Sequence, residues 1–438
     1  MSLSTQPYKG ARDFYPEDKR RQKYLFSTMR RVVERFGYEE YDAPILESLD
    51  LYAAKSGEEI VNEQTYTFTD RGGRQVVIRP EMTPSVSRMV AAKRQELGYP
   101  VRWYSIPNLW RYERPQRGRL REHWQLNVDI FGVEGLAAEH ELILVADSIL
   151  KEFGAKRDMY VIRINSRQVM DFIMDDYLGL DSVQSYTLSK LIDRIEKMPH
   201  AVFVAEADAM FTPSQRDAGA SEKLLELLKC QKLDDLPEQV RESEPARQLA
   251  SLLDMLQEST VTNAQFDITI MRGFDYYTGI VFEIADTDPE NNRSMMGGGR
   301  YNGLVGLFGV EPVPTAGFGW GDVTLQNFLE SHNLAQPLKS ETELYVVLIG
   351  DVYNQAQKLL STLRAEGLNV AVDDTDRKPA NKIKTALKKD IRYVLFVGEQ
   401  EIESGQYNLK DLKNENEQTL SPERIMSTVL AQRNIKTN

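Results

Sequence analysis

Residues 166–257 run in helical period, with leucine-rich stretches at 223–228 and 249–256, while strand-like period stands on both sides. Strand patterning returns over 267–285 (DITIMRGFDYYTGIVFEIA). The first three-quarters of the chain therefore reads as strands, a block of helices, then strands again. At 438 residues the chain is too long for one typical domain, and two to four are expected.

Before the helical block, Leu25, Met29, Val32, Val33 and Phe36 give a helix over 15–37 that ends at Gly37. Residues 38–44 are strand-like and close at Pro44. Residues 66–79 read as a hairpin turning at Arg71-Gly72-Gly73. Thr83 and Pro84 look like a helix N-cap and first helical residue. Residues 101–112 and 122–132 read as two strands joined by a charged loop. After the helical block come a glycine-rich segment, Gly297 to Gly303, and a strand-to-helix segment near 315–331. A polar linker, 332–342, leads to strands at 345–349, 370–372 and 393–397. Helices at 354–366, 378–389 and 422–432 alternate with them, as expected of a compact α/β domain with a mixed or parallel sheet.

The single cysteine, Cys230, excludes an internal disulfide and a cysteine-based zinc site, and four histidines make a dedicated metal cluster unexpected. No apolar run approaches the roughly 20 residues that span a membrane, and the opening residues carry no export-type apolar stretch. A reduced, cytoplasmic protein with no membrane partner is expected. The net charge of −12 argues against nucleic-acid binding only if charge is spread evenly. It is not: residues 343–438 hold 14 basic and 14 acidic residues.

Four constellations carry chemistry. Arg111, Arg114, Arg117, Arg119 and Arg121 fall within eleven residues, a density that suits a polyphosphate or a nucleic-acid end. The strand that follows alternates: His123, Gln125, Asn127 and Asp129 share one face, and Trp124, Leu126, Val128 and Ile130 the other. Glu81 and Thr83 stand at a strand-to-helix junction, where they either meet a ligand or serve the helix as dipole partner and cap. In Arg272-Gly-Phe-Asp-Tyr276-Tyr277, strand alternation puts Arg272 and Tyr276 on one face and Tyr277 on the other, unless Gly273 bulges. Gly297 to Gly303 matches neither a P-loop nor a dinucleotide fingerprint, which leaves close backbone packing or an unclassified ligand loop.

Taken in order, these segments resemble histidyl-tRNA synthetases over nearly the whole chain. Residues 7–14 (PYKGARDF) are similar to the family's opening, and the first helix with Pro44 to class II motif 1. Residues 111–129 resemble motif 2, residues 272–279 a histidine-specific signature, and residues 297–325 the motif 3 region. The resemblance implies an α+β fold: an antiparallel class II catalytic sheet (1–165 and 263–332), a helical insertion (166–262), and a C-terminal α/β anticodon-binding domain (343–438). It implies a homodimer, the substrates histidine, ATP with Mg²⁺, and tRNA(His), and no resident metal.

The resemblance also implies roles. Arg111 holds the α-phosphate, with Arg272 on the opposite side. Glu81, Thr83 and Gln125 bind the amino end of histidine or its surroundings, and Asp129, Tyr276 and Tyr277 form the imidazole pocket. Asp129 stands where bacterial members often carry the longer glutamate, which leaves room for a water in its contact. Arg114 and Arg119 join Arg111 and Gln125 at ATP. Arg117, Arg121, Lys382, Lys384, Lys388 and Lys389 are the cations expected to meet tRNA.

Motif 3 departs from the family pattern, because Thr324 stands where an arginine supports the ATP tail. Losing one charge-assisted contact costs about 1.5–3 kcal/mol. Either Arg114 or Arg119 with Mg²⁺ holds the γ-phosphate, or ATP use is weakened. Two non-enzyme readings follow: a synthetase-like regulatory subunit of the histidine-biosynthetic ATP phosphoribosyltransferase, and a noncatalytic sensor of histidine or tRNA.

Overall fold

The computed structural model describes residues 3–53, 64–195, 198–271, 276–291 and 293–434. The chain forms two compact units, Met1–Ala335 and Gln336–Asn438.

Among its described residues the first unit is built on a nine-stranded sheet. Across it the strands run Glu39–Glu40, Val101–Ser105, Glu122–Phe131, Thr315–Gly321, Ser294–Arg300, Ile280–Asp286, Tyr160–Ser166 and Ala264–Phe266, and Asn108–Trp110 also pairs with Glu122–Phe131. Only the two outermost pairings are parallel; the interior is antiparallel. Such a sheet needs an aliphatic cover on one face only. Leu126, Val128 and Ile130 project into that cover, where they meet Met29, Val32 and Val33 of helix Pro16–Arg35 and Leu142, Val145 and Ile149 of helix Ala137–Glu152. Each such buried side chain contributes about 1.5–3 kcal/mol of transfer free energy. The helices between residues 182 and 258 share this core through Leu188, Leu224 and Leu252. Among the described residues no helix is long and apolar enough to cross a membrane.

The strand expected over 267–285 begins only at Ile280. Asp267 accepts from both the amide and the hydroxyl of Thr269, at 3.0 and 2.7 Å, and this turn leads the chain off the sheet edge. Buried Asn165 then serves the departing backbone by donating to the carbonyls of Ile268 and Ile270. Tyr276 and Tyr277 therefore lie outside strand alternation. Arg272 lies outside the described residues.

In the second unit a five-stranded sheet has the order Val370–Asp373, Leu344–Leu348, Tyr393–Val397, Tyr407–Asp411, Asn416–Leu420. The first three strands are parallel, and the last two add as an antiparallel hairpin that sequence pattern did not mark. Its outer strand, NEQTL, is exposed along most of its length and carries no apolar alternation.

Helix Pro379–Lys388 corrects one expectation. Lys382 is buried at 3% exposure and its ammonium donates to the carbonyls of Leu348 and Asp373, at 2.8 and 3.1 Å. It ties the helix to two strand ends and is not a phosphate contact, because a buried cation must be satisfied where it lies. Lys384, Lys388 and Lys389 are exposed. Lys382→Met is expected to destabilise the second unit by about 1–3 kcal/mol, and Lys384→Ala to change it by less than about 0.5 kcal/mol. Chemical denaturation of the two variants checks this, and equal stabilities would contradict it.

Candidate active site

The polar face of Glu122–Phe131 opens onto space because its neighbours on one side, along strand Thr315–Gly321, have no side chains on that face. The strand register sets Gly317 beside Asp129, Gly319 beside Asn127 and Gly321 beside Gln125. Beyond them, Gly299 pairs with Gly317 and Gly297 with Gly319. A β-carbon on Gly317 would collide with the Asp129 carboxylate, and one on Gly319 would lie 2.8 Å from Gln125 Nε2. On Gly299 it would stand 2.6 Å from the Ile280 carbonyl oxygen and 3.0 Å from the Tyr277 ring. Within 297–303, Gly298 and Gly299 thus serve close backbone packing, whereas a β-carbon on Gly297 or Gly303 would meet no clash. The result is a cavity of about 340 Å³ with His123, Gln125, Asn127 and Asp129 in its wall.

One end of this cavity is aromatic. Tyr276, Tyr277 and Tyr301 stand edge to face, with ring centroids 5.1, 5.5 and 6.3 Å apart. The Tyr301 hydroxyl donates to Asp129 Oδ1. Asp129 Oδ2 is buried, and the nearby Tyr41 hydroxyl does not reach hydrogen-bond geometry with it. Burial pushes the Asp129 carboxyl up to about 7, against the lowering pull of the Tyr301 and Tyr41 hydroxyls.

The adjoining wall is the strand-to-helix junction. The Tyr276 hydroxyl donates to Glu81 Oε2 at 3.2 Å and reaches Thr83 Oγ1 at 3.4 Å. Tyr52, fully buried, donates to the Glu81 carbonyl at 3.1 Å. Met82, not Thr83, stands at the N-cap of helix Thr83–Ala92, and Thr83, its first residue, lines the cavity. Arg111 lines the same space, with its Nε anchored on the Pro80 carbonyl at 2.9 Å. His123 is held neutral: burial, then Arg111 and Arg12, push it down to about 3.

A family model described as histidyl-tRNA synthetase matches residues 10–321, and an anticodon-binding-domain model matches 343–432. The chain belongs to the histidyl-tRNA synthetase family. The histidine–tRNA ligase of Leptospira biflexa is 44% identical over 426 residues, 96% of each chain. That of Thermoplasma volcanium is 38% identical over 92% of this chain and 93% of its own. In fold, the family member from Nostoc sp. PCC 7120 superposes with a TM-score of 0.81 at 23% identity, over 98% of this chain and all of that one.

The structure gathers Glu81, Thr83, Arg111, Arg119, Gln125, Asp129, Tyr276 and Tyr277 around one cavity. Of the cations expected at ATP, one is not there, and the two arginines of this loop expected at tRNA differ from each other. Arg114 is exposed and off the cavity wall. Arg121 is no contact for nucleic acid: it is buried, stacks 3.9 Å from the Tyr112 ring centroid, and donates to the Glu113 carbonyl and the Tyr8 hydroxyl. Arg117 is exposed and donates to the Glu290 carbonyl at 3.4 Å. Two participants went unmarked in the sequence. Tyr301 was hidden inside a segment notable for glycine, and Glu283 inside a continuous apolar strand.

Asp129 makes the stability of the ligand-free protein depend on pH. Its folded value lies above the ordinary carboxylate value, so between the two the folded state holds the extra proton. Stability therefore falls as pH rises from the ordinary carboxylate range toward about 7, and levels off above. Asp129→Asn is expected to remove this slope and to stabilise the first unit above pH 7 by up to roughly 4 kcal/mol. Denaturation of both proteins at about pH 5 and about pH 8 checks it; parallel pH profiles would refute the burial cost.

Proposed function

We propose that this chain forms histidyl-adenylate from histidine and ATP and transfers histidine to the 3′ end of its tRNA. The observation that carries the reading is the buried Asp129 carboxylate among three tyrosines, in a cavity whose wall also holds Arg111. An imidazole fits that end: it is flat enough for an aromatic cage, and its N–H satisfies a buried carboxylate directly or through one water. Glu81, Thr83 and Gln125 take the ammonium end, which leaves the substrate carboxylate toward Arg111.

A carboxylate oxygen of histidine attacks the α-phosphorus of ATP, and the bond from that phosphorus to the bridging oxygen breaks. Pyrophosphate leaves with Mg²⁺, which enters as part of the nucleotide substrate. Arg111 stabilises the charge on the α-phosphoryl oxygens, and Arg272 supplies the second cation that the family resemblance implies. This reaction needs positioning and charge neutralisation more than covalent help. A terminal ribose hydroxyl of the tRNA then attacks the mixed anhydride and AMP leaves. His123, held neutral, adds no charge beside the nucleotide.

Residues 1–165 and 263–332 would perform activation, with 166–262 a helical insertion between them, and 343–438 anticodon reading. Lys384, Lys388 and Lys389 are the exposed cations offered to phosphates there, with Arg117 offered by the first unit. A cytoplasmic homodimer completes the proposal.

ATP–pyrophosphate exchange tests it with each standard amino acid in the absence of tRNA. Exchange with histidine alone is expected. A folded protein that binds histidine but exchanges with nothing is instead a sensor. The KM for histidine should rise as pH falls through about 7, because Asp129 must be charged to accept the imidazole proton. Asp129→Ala should raise that KM by at least about tenfold.

A further inference from the structure

The wall where motif 3 lacks its arginine carries another one. Thr324 does not offer its hydroxyl to a ligand: Oγ1 donates to the carbonyls of Met295 and Gly321, at 2.8 and 3.0 Å. Beside it the cavity adjoins a second space of about 490 Å³, and Arg119, Glu283, Ser294 and Thr324 are common to both. Arg293 lines this outer space. A β-carbon on Gly118 would lie 3.8 Å from Thr324 Cγ2 and 3.9 Å from Arg293 Nη1, so the threonine methyl and the guanidinium border the same point.

Two other arginines around this region are engaged. Arg163 faces Asp267 and Glu283 at 3.7 and 3.6 Å, and Arg12 pairs with Asp322 at 2.7 Å. Arg293 is exposed and has no carboxylate partner among the described residues. One N–H, on Nη1, donates to the Arg117 carbonyl at 2.6 Å, and its own carbonyl accepts from the Asp286 amide at 3.3 Å. The side chain is thus held between the arginine loop and the start of an interior strand, with donors to spare.

Resting on the reading above, we infer that Arg293 takes the β- and γ-phosphates of ATP in place of the cation that Thr324 cannot supply. The charge has moved from the first turn of helix Asp322–Ser331 to the residue before strand Ser294–Arg300, while facing the same space. Arg119 works beside it, so the tail meets two guanidinium groups, which suits a polyanion better than one.

The test uses the full-length protein and compares binding of ATP with binding of AMP, which lacks the two outer phosphates. The wild type should bind ATP more tightly. Arg293→Ala should weaken ATP about ten- to a hundredfold and leave AMP within about twofold. The double variant Arg293→Ala with Thr324→Arg should recover most of the loss, because it returns the cation to the same wall. Arg293→Lys should fall between. Two results would overturn the inference: unchanged ATP affinity in Arg293→Ala, or equal weakening of ATP and AMP, which would mean that Arg293 only holds the loop. Pyrophosphate exchange with histidine is measured in parallel. A protein that loses ATP affinity as described but never exchanges would keep this inference and lose the proposed function.

Discussion

The pleat of one strand ties the fold to the site. Side chains of Glu122–Phe131 alternate between an aliphatic core and a polar cavity, so whatever fixes Leu126, Val128 and Ile130 also fixes Gln125, Asn127 and Asp129. A slip of one residue would bury the carboxylate in the core and expose the aliphatic set. Packing with helices Pro16–Arg35 and Ala137–Glu152 prevents that slip. The geometry of the cavity is therefore underwritten by hydrophobic contacts on the reverse side of the sheet.

The polar groups of the cavity sit in surroundings that work against their charge. Asp129 is buried among tyrosines, and His123 is held neutral beside two guanidinium groups. Neither arrangement favours the empty protein. Such costs are characteristic of a surface shaped for a ligand that supplies the missing hydrogen bonds.

Much of this was legible in the sequence because it was written in period. The alternation from His123 to Asp129, the first helix and the α/β succession after the linker all depend on local spacing. What escaped depends on long-range partners. The Tyr407–Asp411 and Asn416–Leu420 hairpin has little apolar pattern. The chain leaves the sheet at Asp267 through a side-chain turn, so strand alternation failed just where Tyr276 and Tyr277 needed placing. Basic residues were hardest of all. Lys382 and Arg121 read as surface charge but serve buried carbonyls and an aromatic ring, since their long stems carry the charge to partners that no local spacing reveals. Arg293 drew no notice because it stands alone in sequence.

The glycine floor has a consequence for how this protein can change. At most binding surfaces a substitution trades one contact for another, and specificity can drift in small steps. At Gly317 no such step exists, because a methyl group there would meet the Asp129 carboxylate and, at 2.7 Å, the Val128 carbonyl oxygen. Every alternative residue there is an obstruction, whatever its chemistry. Room to reshape the cavity therefore lies in its walls, at positions such as Asp129, Tyr277 and Thr324, and not at Gly317.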